Sequence, residues 1–244
     1  MRPFLAFLTL LLLALPVQAQ ERCALPASLR FVDAPLPHLA KRLASDTEIR
    51  ILVLGSSSSL KHESGGLTRT YIAGLPEALE TRFPGRRFVI DNRSLRTQSV
   101  QDMLRRIKAE VLPAQPDLVV WQTGNVEAAR QTDINSFAIA LTEGLQKLRG
   151  AGIDTILIAP QYRARLAPMV DAGAFDQHMG WIGDAEGVPV FPRYDMMQFW
   201  SENEVFDLQS KDQAKQMQEA GMLNGCLAQH LAEMIRRAVA LPAQ

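Results

Sequence analysis

Residues 51–59 read ILVLGSSSS, an apolar run closed by one glycine and four serines. A serine hydroxyl presented this way can attack an ester carbonyl. A neutral hydroxyl is a weak nucleophile, however, and needs a neighbouring base. It also needs donors aimed at the oxygen where negative charge develops; losing one costs on the order of 3 kcal/mol. Ser57 is the candidate nucleophile. The chain has four histidines, of which His62 is the candidate base, His230 lies on the last helix, and His38 and His178 are remote in sequence from the candidate loops. His62 follows Ser57 by five residues, in LKHESGG, and reaches it if that loop folds back. The plain alternative is a polar turn after a strand, with His62 on the surface.

The elements that must hold this serine follow from the apolar patterning. RILVLG at 50–55 is continuously apolar after its first residue, as in strands of a parallel sheet covered on both faces. RRFVIDN (86–92), DLVVWQ (117–122), DTILIAP (154–160) and VPVF (188–191) are further strands. Between them come helical patterns: HLAKRLA, a helix ending before Pro84-Gly85 that starts or kinks at Pro76, and the spaced apolar set Val100, Met103, Leu104, Ile107 and Val111. A second set runs from Ile134 to Leu148, and a weaker helix lies within 169–186. A long final helix runs from Lys211 to Ala238, broken near Gly221 or Gly225. Strands alternating with helices predict an α/β domain with a mainly parallel sheet and helices on both faces. Functional groups in such sheets collect beyond the strand C-termini. Here those loops are GSSSS, NRSLRTQS and TGNVEA. Trp121 and Gln122 pack or orient the third loop, and Tyr162, Arg193 and Tyr194 are expected on the same rim.

Charge and the chain ends bound the setting. Lys plus Arg and Asp plus Glu are 26 each, so no basic surplus favours nucleic acid. MRPFLAFLTLLLLALPVQAQ has the pattern of an export signal cleaved near Ala19. Its apolar run is short for a span, which needs about 20 residues. The expected organisation is therefore a signal peptide at 1–19, an N-terminal arm at 20–49 and an α/β domain at 50–240. The product is periplasmic or secreted, with no stable membrane span after cleavage. Loss of Arg2 leaves 25 Lys and Arg against 26 Asp and Glu. The two cysteines, Cys23 and Cys226, pair as a disulfide in an oxidising compartment or remain as two buried thiols. No phosphate loop, cofactor motif or metal-ligand spacing is present in the sequence, so no cofactor or metal is expected.

Four stretches in order, ILVLGSSSS, VIDNRSLRTQSVQDML (89–104), PDLVVWQTGN (116–125) and FPRYDMM (191–197), resemble the SGNH or GDSL-like hydrolase superfamily, in particular exported bacterial members whose first block reads GSSS. The resemblance spans about residue 50 to 238. It implies a flavodoxin-like three-layer α/β/α sandwich and hydrolysis of esters or O-acyl groups. It makes Ser57 the nucleophile. The oxyanion donors are the Ser57 amide, the amide at Thr97 and a third-block asparagine, Asn125 when the loop shifts by one residue. Asp207 matches the aspartate that partners the family histidine.

The chain departs from that pattern in three places. Thr97 replaces a glycine. In strict register, Val126 occupies the asparagine position. Ser210 stands where the histidine is expected, three places after Asp207. These departures predict an exported member of the superfamily with lost or impaired esterase activity that binds acylated envelope glycans. One alternative is an active serine esterase or O-acetyl-glycan deacetylase using Ser57 and a non-standard base such as His62. Another is a structural or protein-interaction subunit.

Overall fold

The computed structural model describes residues 22–29, 31–60 and 70–242. The proposed signal peptide and His62 lie outside the described residues. Helix α1 (Pro37–Ser45) leads into strand β1 (Glu48–Leu54), and a single 3-10 turn, Ser57–Ser59, carries the serines. Then come α2 (Tyr71–Arg82), β2 (Arg87–Asn92) and α3 (Val100–Arg106). The last runs on through a π-helical stretch, Ile107–Val111, to Ala114. Strand β3 (Leu118–Gln122) is followed by α4 (Asn125–Arg130) and α5 (Ile134–Gly150). The rest is β4 (Asp154–Ile158), α6 (Ala172–Glu186), β5 (Val190–Phe191), α7 (Arg193–Glu202) and α8 (Gln213–Ala238).

The five strands are parallel, in the order β2-β1-β3-β4-β5. Successive residues of β1 face opposite layers. Ile51 and Val53 pack with α1, α2, α7 and α8, whereas Leu52 and Leu54 pack with α3, α5 and α6. Both faces are thus covered, which is why the strand reads as an unbroken apolar run. Each fully buried side chain of this size contributes roughly 1.5–3 kcal/mol. The expected three-layer α/β architecture is the one found.

Local details depart from the sequence pattern at known breakers. Pro76 lies inside α2, which begins at Tyr71 with Thr70 as its cap. Helix α8 runs through Gly221 and Gly225 without a break. Glycine costs about 1 kcal/mol relative to alanine in a helix interior. Here the buried stripe of Leu223, Leu227, Leu231 and Met234 offsets that penalty.

Cys23 and Cys226 form a disulfide between the N-terminal arm and α8. Around it, Arg22 pairs with Glu219 at 2.6 Å. Trp200 Nε1 donates to the Ala24 carbonyl at 3.2 Å. Among the described residues no helix is long and apolar enough to cross a membrane.

Candidate active site

The β1, β2 and β3 C-terminal loops meet in one cavity of about 270 Å³. Its lining includes Ser57 on the 3-10 turn, Thr97 after β2 and Asn125 at the start of α4. Two glycines make this approach possible. A Cβ on Gly55 would come within 2.9 Å of Ser94 Oγ and 3.1 Å of Ser59 Oγ. Gly124 has φ of +93°, and a Cβ there would meet Pro160 at 2.7 Å. Its left-handed turn starts α4 with Asn125 facing the serine turn's cavity.

One side chain fixes three of the four serines. Gln122, fully buried at the end of β3, accepts from Ser58 Oγ at 2.8 Å and from Ser59 Oγ at 2.6 Å. Its Nε2 donates to Ser56 Oγ at 3.2 Å. Ser59 Oγ also lies 3.1 Å from the buried Tyr71 hydroxyl. The Ser57 hydroxyl makes no hydrogen bond among the described residues and borders the cavity.

The other two candidates, Thr97 and Asn125, line the same cavity. Thr97 takes φ of +55°, the left-handed backbone a glycine adopts freely. Its hydroxyl donates to the Arg96 carbonyl at 2.8 Å. Asn125 Oδ1 accepts from the Gln161 amide at 2.9 Å, which fixes the carboxamide. Its Nδ2 is buried and has no hydrogen-bond partner among the described residues. A buried donor left unpaired costs about 1–3 kcal/mol. Val126 lines the same cavity with a side chain that cannot donate.

No histidine or carboxylate lines this cavity among the described residues. His230 lies on α8, where Nε2 donates to the Cys23 carbonyl at 2.7 Å; burial holds its pKa below the ordinary value, more than this bond raises it. His178, on α6, donates from Nδ1 to the Ala174 carbonyl at 2.8 Å and rests against Trp181. His38 is on α1, beside the half-buried Asp154. Asp207 lines a separate cavity with Trp200 and Phe206 and pairs with Lys215 at 2.9 Å. The hydrogen bond from Lys215 holds its carboxyl below the usual range. Tyr194 does border the Ser57 cavity, but burial first, then Tyr162 and nearby aspartates, push its phenol up. It is a neutral donor at pH 7, not a base.

Two buried groups at this end had weak signals in the sequence. Glu127 is fully buried; it accepts from the Gly124 amide at 2.9 Å and from the Val100 amide, joining the third loop to α3. Burial raises its pKa despite these bonds. Arg193, expected on the rim, is instead 1% exposed behind the serine turn. It donates to the Ala159 carbonyl at 3.0 Å and to Ser58 Oγ at 3.1 Å. Tyr162 and Tyr194 do line the cavity, with their rings 5.3 Å apart edge to face.

A profile of the non-GDSL lipase-like family matches residues 22–241, arm and α/β layers together. The chain belongs to the non-GDSL lipase-like family. No curated protein matches it. Solved structures share the fold at low identity. A lipase/acylhydrolase from Enterococcus faecalis is 18% identical with a TM-score of 0.57, covering 76% of this chain and 96% of its own. A Geobacillus acetyl-xylooligosaccharide esterase is 15% identical with a TM-score of 0.58, covering 80% and 96%. A two-domain esterase active on acetylated mannans reaches a TM-score of 0.64 at 14% identity, covering 85% of this chain and 56% of its own. This family member therefore has the α/β architecture of SGNH-type acylhydrolases and esterases.

Proposed function

We propose that this family member is exported and binds acylated envelope glycans in the Ser57 cavity, with ester hydrolysis lost or strongly impaired. One observation carries the reading. The cavity gathers Ser57, Thr97 and Asn125, yet no imidazole or carboxylate lines it among the described residues. An acyl carbonyl seated there receives the Asn125 Nδ2 hydrogen and the Thr97 amide. The Ser57 hydroxyl faces its carbon, and among the described residues no imidazole or carboxylate lines the cavity to accept the proton. A positioned general base is worth about 10²–10⁴ in rate, so binding survives where turnover fails. Structural likeness to esterases of acetylated saccharides supports the ligand class.

The test compares wild type with Ser57→Ala and Asn125→Ala on acetylated oligosaccharides and short aryl esters. The expected result is saturable binding that weakens in N125A, with hydrolysis near background in wild type and S57A alike. Absence of binding, or fast hydrolysis that S57A abolishes, contradicts the proposal.

A second reading, an active esterase or deacetylase, draws on the preserved donors. The unpartnered Asn125 Nδ2 and the left-handed backbone of Thr97 suit an oxyanion. In that reading His62 supplies the base, and fast turnover is lost equally in S57A and in His62→Ala.

A further inference from the structure

Among the described residues, the charged side chains that line the Ser57 cavity are of one sign. Arg130 and Arg163 line it, and no Asp or Glu does among the described residues. Arg193 stands directly behind, through Ser58. None of the three pairs with a carboxylate among the described residues. Many arginines elsewhere are paired, among them Arg42 with Asp117, Arg93 with Asp91, Arg106 with Glu110 and Arg149 with Glu186, whereas Arg50 and Arg86 bond to backbone carbonyls.

Arg193 sharpens the point. It is 1% exposed, and its Nη2 has no hydrogen-bond partner among the described residues. A buried cation without a counter-ion costs several kcal/mol, and an anion arriving nearby reduces that cost. The two outer arginines are aimed by neutral groups. Arg130 Nη2 donates to the Thr97 carbonyl at 3.3 Å, and Arg163 Nη2 to Gln161 Oε1 at 3.1 Å. Thr97 and Gln161 are the residues that border and brace the donor pair, so both guanidinium groups sit beside the seat of the acyl carbonyl.

Beyond Tyr194 the lining is acidic, although burial raises the pKa of two of its carboxyls, Asp176 and Asp195. Asp171, Asp176, Asp184 and Asp195 line a neighbouring groove that shares only Tyr194 with the Ser57 cavity. A ligand anion is repelled from that side and drawn to Arg130 and Arg163.

We infer that the Ser57 cavity selects acyl esters that carry a carboxylate, with Arg130 and Arg163 as the residues that determine this specificity. The inference rests on the acyl-ester reading above. The carboxylate has two sources, the sugar, as in an acetylated uronate, or the acyl group, as in a hemisuccinyl ester.

The experiment is calorimetric titration of the full chain carrying Ser57→Ala, so that no probe turns over. The probes are an O-acetylated oligogalacturonate, a hemisuccinylated xylo-oligosaccharide and a neutral acetylated xylo-oligosaccharide. At low salt at least one carboxylate probe binds about tenfold tighter than the neutral one, and which one identifies the source. The preference shrinks at about 0.3 M salt, where exposed charges are screened. Added Arg130→Gln and Arg163→Gln bring the preferred probe to within about twofold of the neutral one, with the melting temperature kept. Equal binding of all three probes, binding of none, or a preference that survives both substitutions overturns the inference. Its failure and that of the slow-turnover reading are separable. Rapid Ser57-dependent hydrolysis alongside an Arg-dependent preference sinks only slow turnover; slow turnover with charge-blind binding sinks only the inference.

Discussion

The Gln122 carboxamide oxygen lies 2.6 Å from Ser59 Oγ, and this buried bond sets the shape of the serine turn. The same carboxamide holds Ser58 and Ser56, which leaves Ser57 as the turn's one hydroxyl that Gln122 does not hold. Gln122→Leu keeps the volume and removes every one of these bonds. Each buried hydroxyl or amide left unpaired costs about 1–3 kcal/mol. Chemical denaturation of Q122L is expected to show a loss of about 2 kcal/mol or more. A loss within error of zero means the turn is held by other groups.

Thr97 holds a backbone conformation that branched residues disfavour, at φ of +55°. Left-handed backbone costs a non-glycine residue about 1–2 kcal/mol, and glycine's extra freedom in the unfolded chain returns about 0.5–1. Thr97→Gly is therefore expected to leave the melting temperature unchanged or raise it by a few degrees. A clear drop indicates that the threonine side chain anchors the loop.

The disulfide between Cys23 and Cys226 links residues 203 apart in sequence. Closing a long loop stabilises by about 2–4 kcal/mol. For a chain of this size each kcal/mol moves the melting temperature by roughly 2–4 °C. The double substitution Cys23→Ser and Cys226→Ser is expected to melt roughly 4–16 °C lower. Reduction of the wild-type bond is expected to do the same. Equal melting temperatures would show that the surrounding contacts, such as Arg22 with Glu219, hold the arm unaided.

Asp176, in the groove beyond Tyr194, has its pKa raised to about 7 by burial and by nearby Asp195. Its folded pKa lies above its unfolded value of 3.8, so the folded state binds the extra proton between the two. Stability is then highest below the unfolded pKa and falls as pH rises toward 7. Part exposure keeps the loss on the order of 1 kcal/mol, a drop of roughly 2–4 °C in melting temperature. Asp176→Asn is expected to remove this decline between about pH 4 and about pH 7. An identical decline in D176N assigns it to another group.

Much of the fold was legible because β1 and β3 to β5 are apolar on both sides and the breaks between them carry glycine or proline. The break expected near Gly221 or Gly225 is absent, because the buried face of α8 outweighs local propensity; Pro76, where the sequence predicts a start or a kink, lies inside α2. In the site, the order of the blocks pointed to Ser57, Thr97 and Asn125, and the structure places all three on one cavity. Gln122 could be read only as a polar residue ending an apolar strand; its three serine partners come from the approach of β1 and β3. Arg193 was illegible as a buried charge, because arginine's usual place is the surface. Its position depends on α7 docking behind the serine turn. Asp207 matches the family spacing, yet it pairs with Lys215 at another cavity.

The central claim is the proposal that Ser57 shares its cavity with oxyanion donors, Thr97 and Asn125, but has no activating base among the described residues. The direct measurement is the rate at which an aryl fluorophosphonate labels Ser57, read by intact mass and compared with S57A. The account predicts no adduct on Ser57 over hours, the same as in the alanine variant. Stoichiometric labelling of Ser57 within minutes, lost in S57A, would show an activated nucleophile and contradict it.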